Sequence, residues 1–297
     1  LPASDVRTVP SSAAATAASA GTVELCHTAS YYYWGKDPVY ALGTAIPFGL
    51  NARMQNAWYY YPNAEGVSGN DLMNEFYATQ GLIGFMCGNT GTQMGGWFRK
   101  EINSLDDLVG LKMRIPGQGG DVLRALGGSS IAIPGGEIYQ SLQTGAIDAT
   151  EWVGPWNDLA FGFHQVADYY YCPGFHEPGA GLSTGVNLDV WNSLSKSQQE
   201  IIRNACAAEN ASTTSEYNYK NATALDTLVT KHDVKVRSFS PDIMQALKQT
   251  SDKVLAEAAA KDPFTAKVFE SFKASLANSM AWGARSEEPY TLARRQV

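Results

Sequence analysis

Hydrophobic and polar residues are arranged in distinct patterns along the first ninety residues. Residues 11–20 are almost all Ala, Ser and Thr between Pro10 and Gly21, which predicts a short helix with proline at its first position and glycine beyond its end. TVELCHT (22–28) alternates and is β-branched enough for a strand. GLIGFMC (81–87) is continuously apolar, the pattern of a strand covered on both faces, and is expected in a parallel sheet.

The middle of the chain alternates more regularly. In LKMRIPG (111–117), Leu111, Met113 and Ile115 take one face while Lys112 and Arg114 take the other. DVLRALGG (121–128) predicts a helix closed by glycine, and IAIPGG (131–136) a strand and a turn. EIYQSLQTG (137–145) reads as a second glycine-capped helix and AIDAT (146–150) as a strand. That order predicts parallel strands joined by right-handed crossovers, with ligands beyond the carboxyl ends of the strands. Arg114 and the Glu151-Trp152 pair both stand at such ends. From Ser195 the pattern turns helical: residues 195–212 open on a capping serine, and 241–262 and 263–284 are amphipathic.

A chain of 297 residues with 44% hydrophobic and 17% charged residues can build two lobes with a cleft between them. A net charge of −7 without a dense Lys/Arg cluster argues against nucleic acid as a partner. The apolar stretch at 38–52 is interrupted by Pro47 and Asn51, short of the roughly 20 residues a bilayer requires. Cys26, Cys87, Cys172 and Cys206 are scattered without a C-x-x-C and are expected as small buried fillers.

Familiar catalytic signatures fail one by one. Gly117 and Gly119 begin a dinucleotide fingerprint that Val122 breaks, and there is no P-loop or G-x-S-x-G. His27, His164, His176 and His232 lack zinc-hydrolase spacing. Arg114 suits a forked clamp on a carboxylate, with an ion pair to an acid such as Asp121 as the competing reading. Glu151 and Glu177 admit two chemistries. They could be the acid and base of a carbohydrate-active enzyme with Trp152 and Trp156 as sugar platforms. They could equally hold a hard cation with the amide oxygen of Gln93 and a main-chain carbonyl. The tyrosine runs at 31–33 and 169–171 are candidate cleft walls.

VELCHTASYYYWGKDP, GNTGTQMGGWFRKEI, GLKMRIPG, GGEIYQSLQTGAIDATEWVGPWNDLAFGF and YYYCPGFHEPG resemble the solute-binding subunits of TRAP transporters, the DctP type, nearest the branch that binds α-keto acids. The resemblance implies an α/β, two-lobed periplasmic binding protein fold, with parallel or mixed sheets flanked by helices and a long helical C-terminal region. It is expected to be a non-enzymatic periplasmic receptor that captures a pyruvate-like 2-oxo monocarboxylate and delivers it to a sodium-driven permease. On this reading Arg114 clamps the ligand carboxylate, Gln93 contacts ligand and cation, and Glu151, Trp152 and Glu177 hold the cation. Trp152 and Glu177 also border the ligand. Residues 1–89, with part of the C-terminal helices, are expected to form the first lobe, shortened at its start relative to the family. Residues 90–190 would form the second, and a helix within 264–285 would be exchanged in a homodimer. One arginine against two glutamates and an anionic guest leaves two negative charges, so a desolvated cleft needs a cation. Sodium is the first expectation from the resemblance, and calcium the alternative that neutralises the cleft fully.

Overall fold

The protein, seen here as a computed structural model, is described over residues 13–296. Helix α1 (Ala14–Ser19) occupies the second half of the expected N-terminal helix, whose proline start lies outside the described residues. There follow β1 (Leu25–Thr28), a 3-10 turn at 30–33, α2 (Val39–Leu42), α3 (Ala52–Tyr60), α4 (Gly69–Thr79) and β2 (Leu82–Asn89). The central part runs β3 (Gly96–Phe98), β4 (Lys112–Arg114), α5 (Gly117–Ala125), β5 (Ser129–Ile131), α6 (Gly135–Thr144), β6 (Ala149–Thr150), α7 (Pro155–Phe161) and β7 (Tyr169–Cys172). The chain closes with β8 (Gly181–Asn187), α8 (Leu188–Ser193), α9 (Lys196–His232), β9 (Lys235–Ser238), α10 (Pro241–Ala259), α11 (Pro263–Gly283) and α12 (Glu287–Arg294).

Side-chain acceptors start the longer helices where the sequence offers them. Ser195 and Gln198 form a reciprocal capping box on α9, and Ser240 and Asp262 cap α10 and α11, each just ahead of a proline. Helix α9 runs far beyond the expected 195–212. Its second half, rich in Thr, Ser and Asn, carries no apolar stripe, because only Ala224 and Leu228 are buried there. At 37 residues it is about 55 Å long.

Among the described residues the strands form two sheets, one ordered β1-β8-β2 and one ordered β5-β4-β6-β3-β7-β9. In the larger sheet β4 pairs parallel with both β5 and β6, as the strand-helix alternation predicts. Strand β2 corrects the reading of 81–87: it pairs antiparallel with β8. Its unbroken apolarity reflects cover by α4 on one face and by α9 on the other, which is independent of strand direction. The expected second-lobe span of 90–190 also takes in β8, which pairs with β1 and β2 instead.

Each sheet is packed on both faces. Helices α1 to α4, with Val268, Phe269 and Phe272 of α11, cover one side of the small sheet, while Trp191 and Cys206 lie on the other. Ile243 and Leu247 of α10 cover one face of the large sheet, and Ile138, Leu142 and Leu228 the opposite one. Helices α9 and α10 therefore each contribute to the cores of both sheets. All four cysteines are free thiols, two of them buried.

Phe272 is 1% exposed and meets Trp58 edge-on at 5.1 Å. Phe272→Ala is expected to lower unfolding free energy by about 3–5 kcal/mol in urea titrations. A loss below about 1 kcal/mol would mean that α11 is not part of this core.

Candidate functional site

Strand register brings the first two site residues together. Arg114 ends β4 directly opposite Thr150 of β6, so Glu151 emerges beside it, and the Glu151 N–H donates to the Arg114 carbonyl at 3.1 Å. The Arg114 guanidinium then turns onto its neighbours. Nη1 donates to the Glu151 carboxylate and, at 3.2 Å, to the Glu151 carbonyl, while Nε donates to the Ile133 carbonyl at 3.3 Å. Nη2 donates to no protein group among the described residues. The competing ion pair with Asp121 is not formed: Asp121 pairs with Arg124 and accepts from Trp34 Nε1 at 2.7 Å.

A second pair of loops carries Gln93 and Glu177. The Gln93 N–H donates to the Glu177 carbonyl at 3.1 Å, and the Gly174 N–H donates back to the Gln93 carbonyl at 3.0 Å. Glycine is required at 174, where a Cβ would lie 2.6 Å from that carbonyl oxygen. The amide nitrogen of Gln93 donates to the Glu177 carboxylate. Tyr31, from the 3-10 turn beside the small sheet, comes close enough to the same carboxylate to favour its charged form. The Phe48 N–H donates to the Phe175 carbonyl at 2.8 Å and ties this loop to the segment before α3.

Gln93, Arg114, Glu151, His176 and Glu177 are each at most 5% exposed. Burial, reinforced by the Glu151 charge, pushes the Glu177 carboxyl well above the usual carboxylate range, against Tyr31, Arg114 and Gln93. Burial works to lower the Arg114 pKa, but Glu151 and its other neighbours outweigh that and hold it raised. Ionising both glutamates against one arginine would leave a net negative charge in a desolvated space.

Several polar atoms here have no hydrogen-bond partner: Gln93 Oε1, Glu151 Oε2, both His176 ring nitrogens and Trp152 Nε1. Each such atom costs about 1–3 kcal/mol when buried, so their concentration at one place points to a guest that satisfies them. Ligand atoms of Glu151, His176 and Glu177 lie within 4.8 Å of one another. Carboxylate and amide oxygens in this number suit a hard cation. His176 Nε2 stands 3.6 Å from Glu151 Oε2, beyond hydrogen-bond reach.

Trp152 lies with its ring 5.1 Å from the Arg114 guanidinium and 5.2 Å from Phe161. A Cβ at Gly135 would collide with its indole, so glycine lets the ring sit down over α6. Trp156 points elsewhere, against Tyr217 at 5.1 Å and beneath Lys220 Nζ at 4.0 Å. The two indoles therefore do not make a paired sugar platform, and Glu151 is already engaged by Arg114, so the carbohydrate-active reading finds no support. Of the two tyrosine runs, 31–33 forms a turn whose Tyr31 reaches the site, whereas Tyr170 and Tyr171 are core residues bonded to Asp158 and Ile102. The histidine spacing along the chain does not reveal His176, because its neighbour Glu151 comes from another loop. Its one signal was its place beside Glu177.

The model for DctP, described as bacterial extracellular solute-binding protein, family 7, matches residues 8–262. A monocarboxylate 2-oxoacid-binding periplasmic protein of Nostoc sp. is 45% identical over 282 residues, covering 95% of this chain and 76% of that one. A TRAP solute-binding protein of Bordetella bronchiseptica, a mixed-occupancy dimer with copurified calcium and picolinate, superposes with a TM-score of 0.91. It is 37% identical over 97% of this chain and 85% of its own. One from Pseudoalteromonas atlantica, with bound sodium and pyruvate, has a TM-score of 0.88 and 41% identity, covering 94% of this chain and 84% of its own. The chain belongs to the DctP family of TRAP transporter solute-binding proteins.

Proposed function

We propose that this protein binds a 2-oxo monocarboxylate of pyruvate size together with a cation, stoichiometrically and without turnover, and delivers it to TRAP permease subunits. The observation that carries this reading is Arg114, 3% exposed and ion-paired to Glu151, in a site where buried oxygens of Gln93 and Glu151 lack hydrogen-bond partners. In this reading Arg114 takes the guest carboxylate, which a planar guanidinium can grip with parallel hydrogen bonds. Gln93, Glu151 and Glu177 supply side-chain oxygens to the cation and Trp152 its main-chain oxygen. Gln93 and Glu177 also border the guest, and the Trp152 indole shields it from water. Pyruvate with sodium in the Pseudoalteromonas protein and picolinate with calcium in the Bordetella protein support this class of guest. Sodium is our first choice of ion and calcium the alternative, which cancels the remaining charge more completely.

The two sheets mark the two lobes in this reading, with Tyr31 and Phe48 reaching the site from the small-sheet side. The family description and the relatives' names support a periplasmic location, and no helix among the described residues is long and apolar enough to cross a membrane. Met280, Trp282, Tyr290 and Leu292 are each at least 55% exposed at the far end of α11 and on α12. Such a surface supports a homodimer in which the helical segment at 264–285 meets a partner subunit.

Two measurements test the site. In calorimetric titrations with pyruvate, Arg114→Ala is expected to raise Kd at least about a hundredfold, while Glu177→Ala makes the remaining affinity insensitive to sodium or calcium. Near-wild-type affinity in Arg114→Ala would end this reading. Acid should also weaken cation uptake. Glu177 is held above its ordinary range, so a cation must displace its proton, and affinity falls as pH drops through that raised value. Titrations in buffers of different ionisation enthalpy should report proton release on binding, and none on the acid side would contradict the assignment.

A further inference from the structure

One carboxylate that the proposed site does not use holds the turn after Glu151 from behind. Asp158 is 1% exposed. Its Oδ1 accepts from the main-chain N–H of Val153 at 3.2 Å and of Gly154 at 3.1 Å. Its Oδ2 accepts from Trp97 Nε1 at 2.9 Å and from the Tyr170 hydroxyl at 2.7 Å. Trp97 and Tyr170 stand on the paired strands β3 and β7 with their rings stacked at 4.0 Å. The carboxylate thus fastens the turn to the middle of the large sheet. Burial outweighs all four hydrogen bonds and lifts its pKa to about 6.

Ordinary helix capping does not account for this arrangement. The N-cap of α7 is Gly154, which has no side chain, and the helix opens on Pro155. Asp158 bends back past the N-cap to Val153, which lies outside the helix. The peptide between Trp152 and Val153 is trans, the cis bond among the described residues being Cys172-Pro173. In a trans peptide the carbonyl and the N–H point in opposite directions. With the Val153 N–H committed to Asp158, the Trp152 carbonyl must face away from Asp158 and from the Trp97–Tyr170 pair.

We infer that Asp158 is the positioning residue of the cation site: by holding the Val153 and Gly154 N–H groups, it aims the Trp152 carbonyl and steadies Glu151 at the ion. The inference rests on the proposed cation site and extends it to a group that touches neither ion nor guest. Outer groups that orient metal ligands typically change metal affinity 10–100-fold when removed.

The test is calorimetric titration of calcium into the full chain saturated with pyruvate, with melting temperatures measured in parallel. Asp158→Ala removes both main-chain acceptors and is expected to raise the calcium Kd about tenfold or more. Asp158→Asn keeps an oxygen for the two main-chain donors, and Tyr170→Phe removes a bond only from Oδ2. Both should stay within about threefold of wild type, although Tyr170→Phe lowers the melting temperature as Asp158→Ala does. An unchanged calcium Kd in Asp158→Ala overturns the inference, as does a shift in Tyr170→Phe equal to that of Asp158→Ala, which would trace the effect to stability. If Asp158→Ala does not fold, Asp158→Leu, which keeps the branched shape without an acceptor, takes its place in both comparisons. A wild-type chain that takes up no calcium or sodium with pyruvate overturns the cation site itself, a result separate from any difference among the variants.

Discussion

The arrangement depends on a guanidinium withdrawn from water and paired to a carboxylate of its own chain. Arg114 cannot shed its charge, so burying it fixes what must stand nearby. Glu151 meets part of that demand through Nη1, and the strand pairing of β4 with β6 guarantees the meeting. In the proposed reading Nη2 is left for the guest carboxylate. Glu177, brought in by a separate loop, adds a second negative charge that Arg114 cannot also neutralise, which is why a cation enters the account at all.

The scaffold can be understood as the means of holding these charges still. Three strand ends, at Arg114, Ile133 and Glu151, converge through hydrogen bonds to one side chain. The Gln93 and Glu177 loops are bonded to each other through their main chains, so the amide and the carboxylate keep their spacing without relying on flexible side chains. Tyr31 and the Phe48–Phe175 bond connect this cluster to the small-sheet side, giving both halves of the molecule a stake in the same few atoms. Helices α9 and α10 enter the cores of both sheets.

Much of this was legible in the sequence because it depends on local order. Alternation in 111–117 and the strand-helix rhythm to 150 placed Arg114 and Glu151 at strand carboxyl ends, without showing that the two strands are neighbours, and the capping residues Ser195 and Gly145 appear where expected. What depended on distant partners was not legible. The direction of β2 is set by β8, almost a hundred residues later, and its apolar run records only that both faces are covered. The length of α9 was hidden because its polar second half is exposed and needs no stripe. His176 comes near Glu151 only through tertiary approach, which neither residue type nor spacing announces, and the tyrosine run at 31–33 suggested a cleft wall without showing that Tyr31 is the one that reaches Glu177. Nothing along the chain marks Asp158, since its four donors come from three elements.

The central claim is that guest anion and cation neutralise the buried cluster together, which requires each to raise the affinity for the other equally. The most direct measurement is the pyruvate affinity of the wild-type chain across a range of free sodium or calcium concentrations. The account predicts that log affinity climbs with log cation concentration, with a limiting slope of about one, until the ion site saturates. A flat line, with pyruvate held equally well after rigorous removal of both ions, would contradict it.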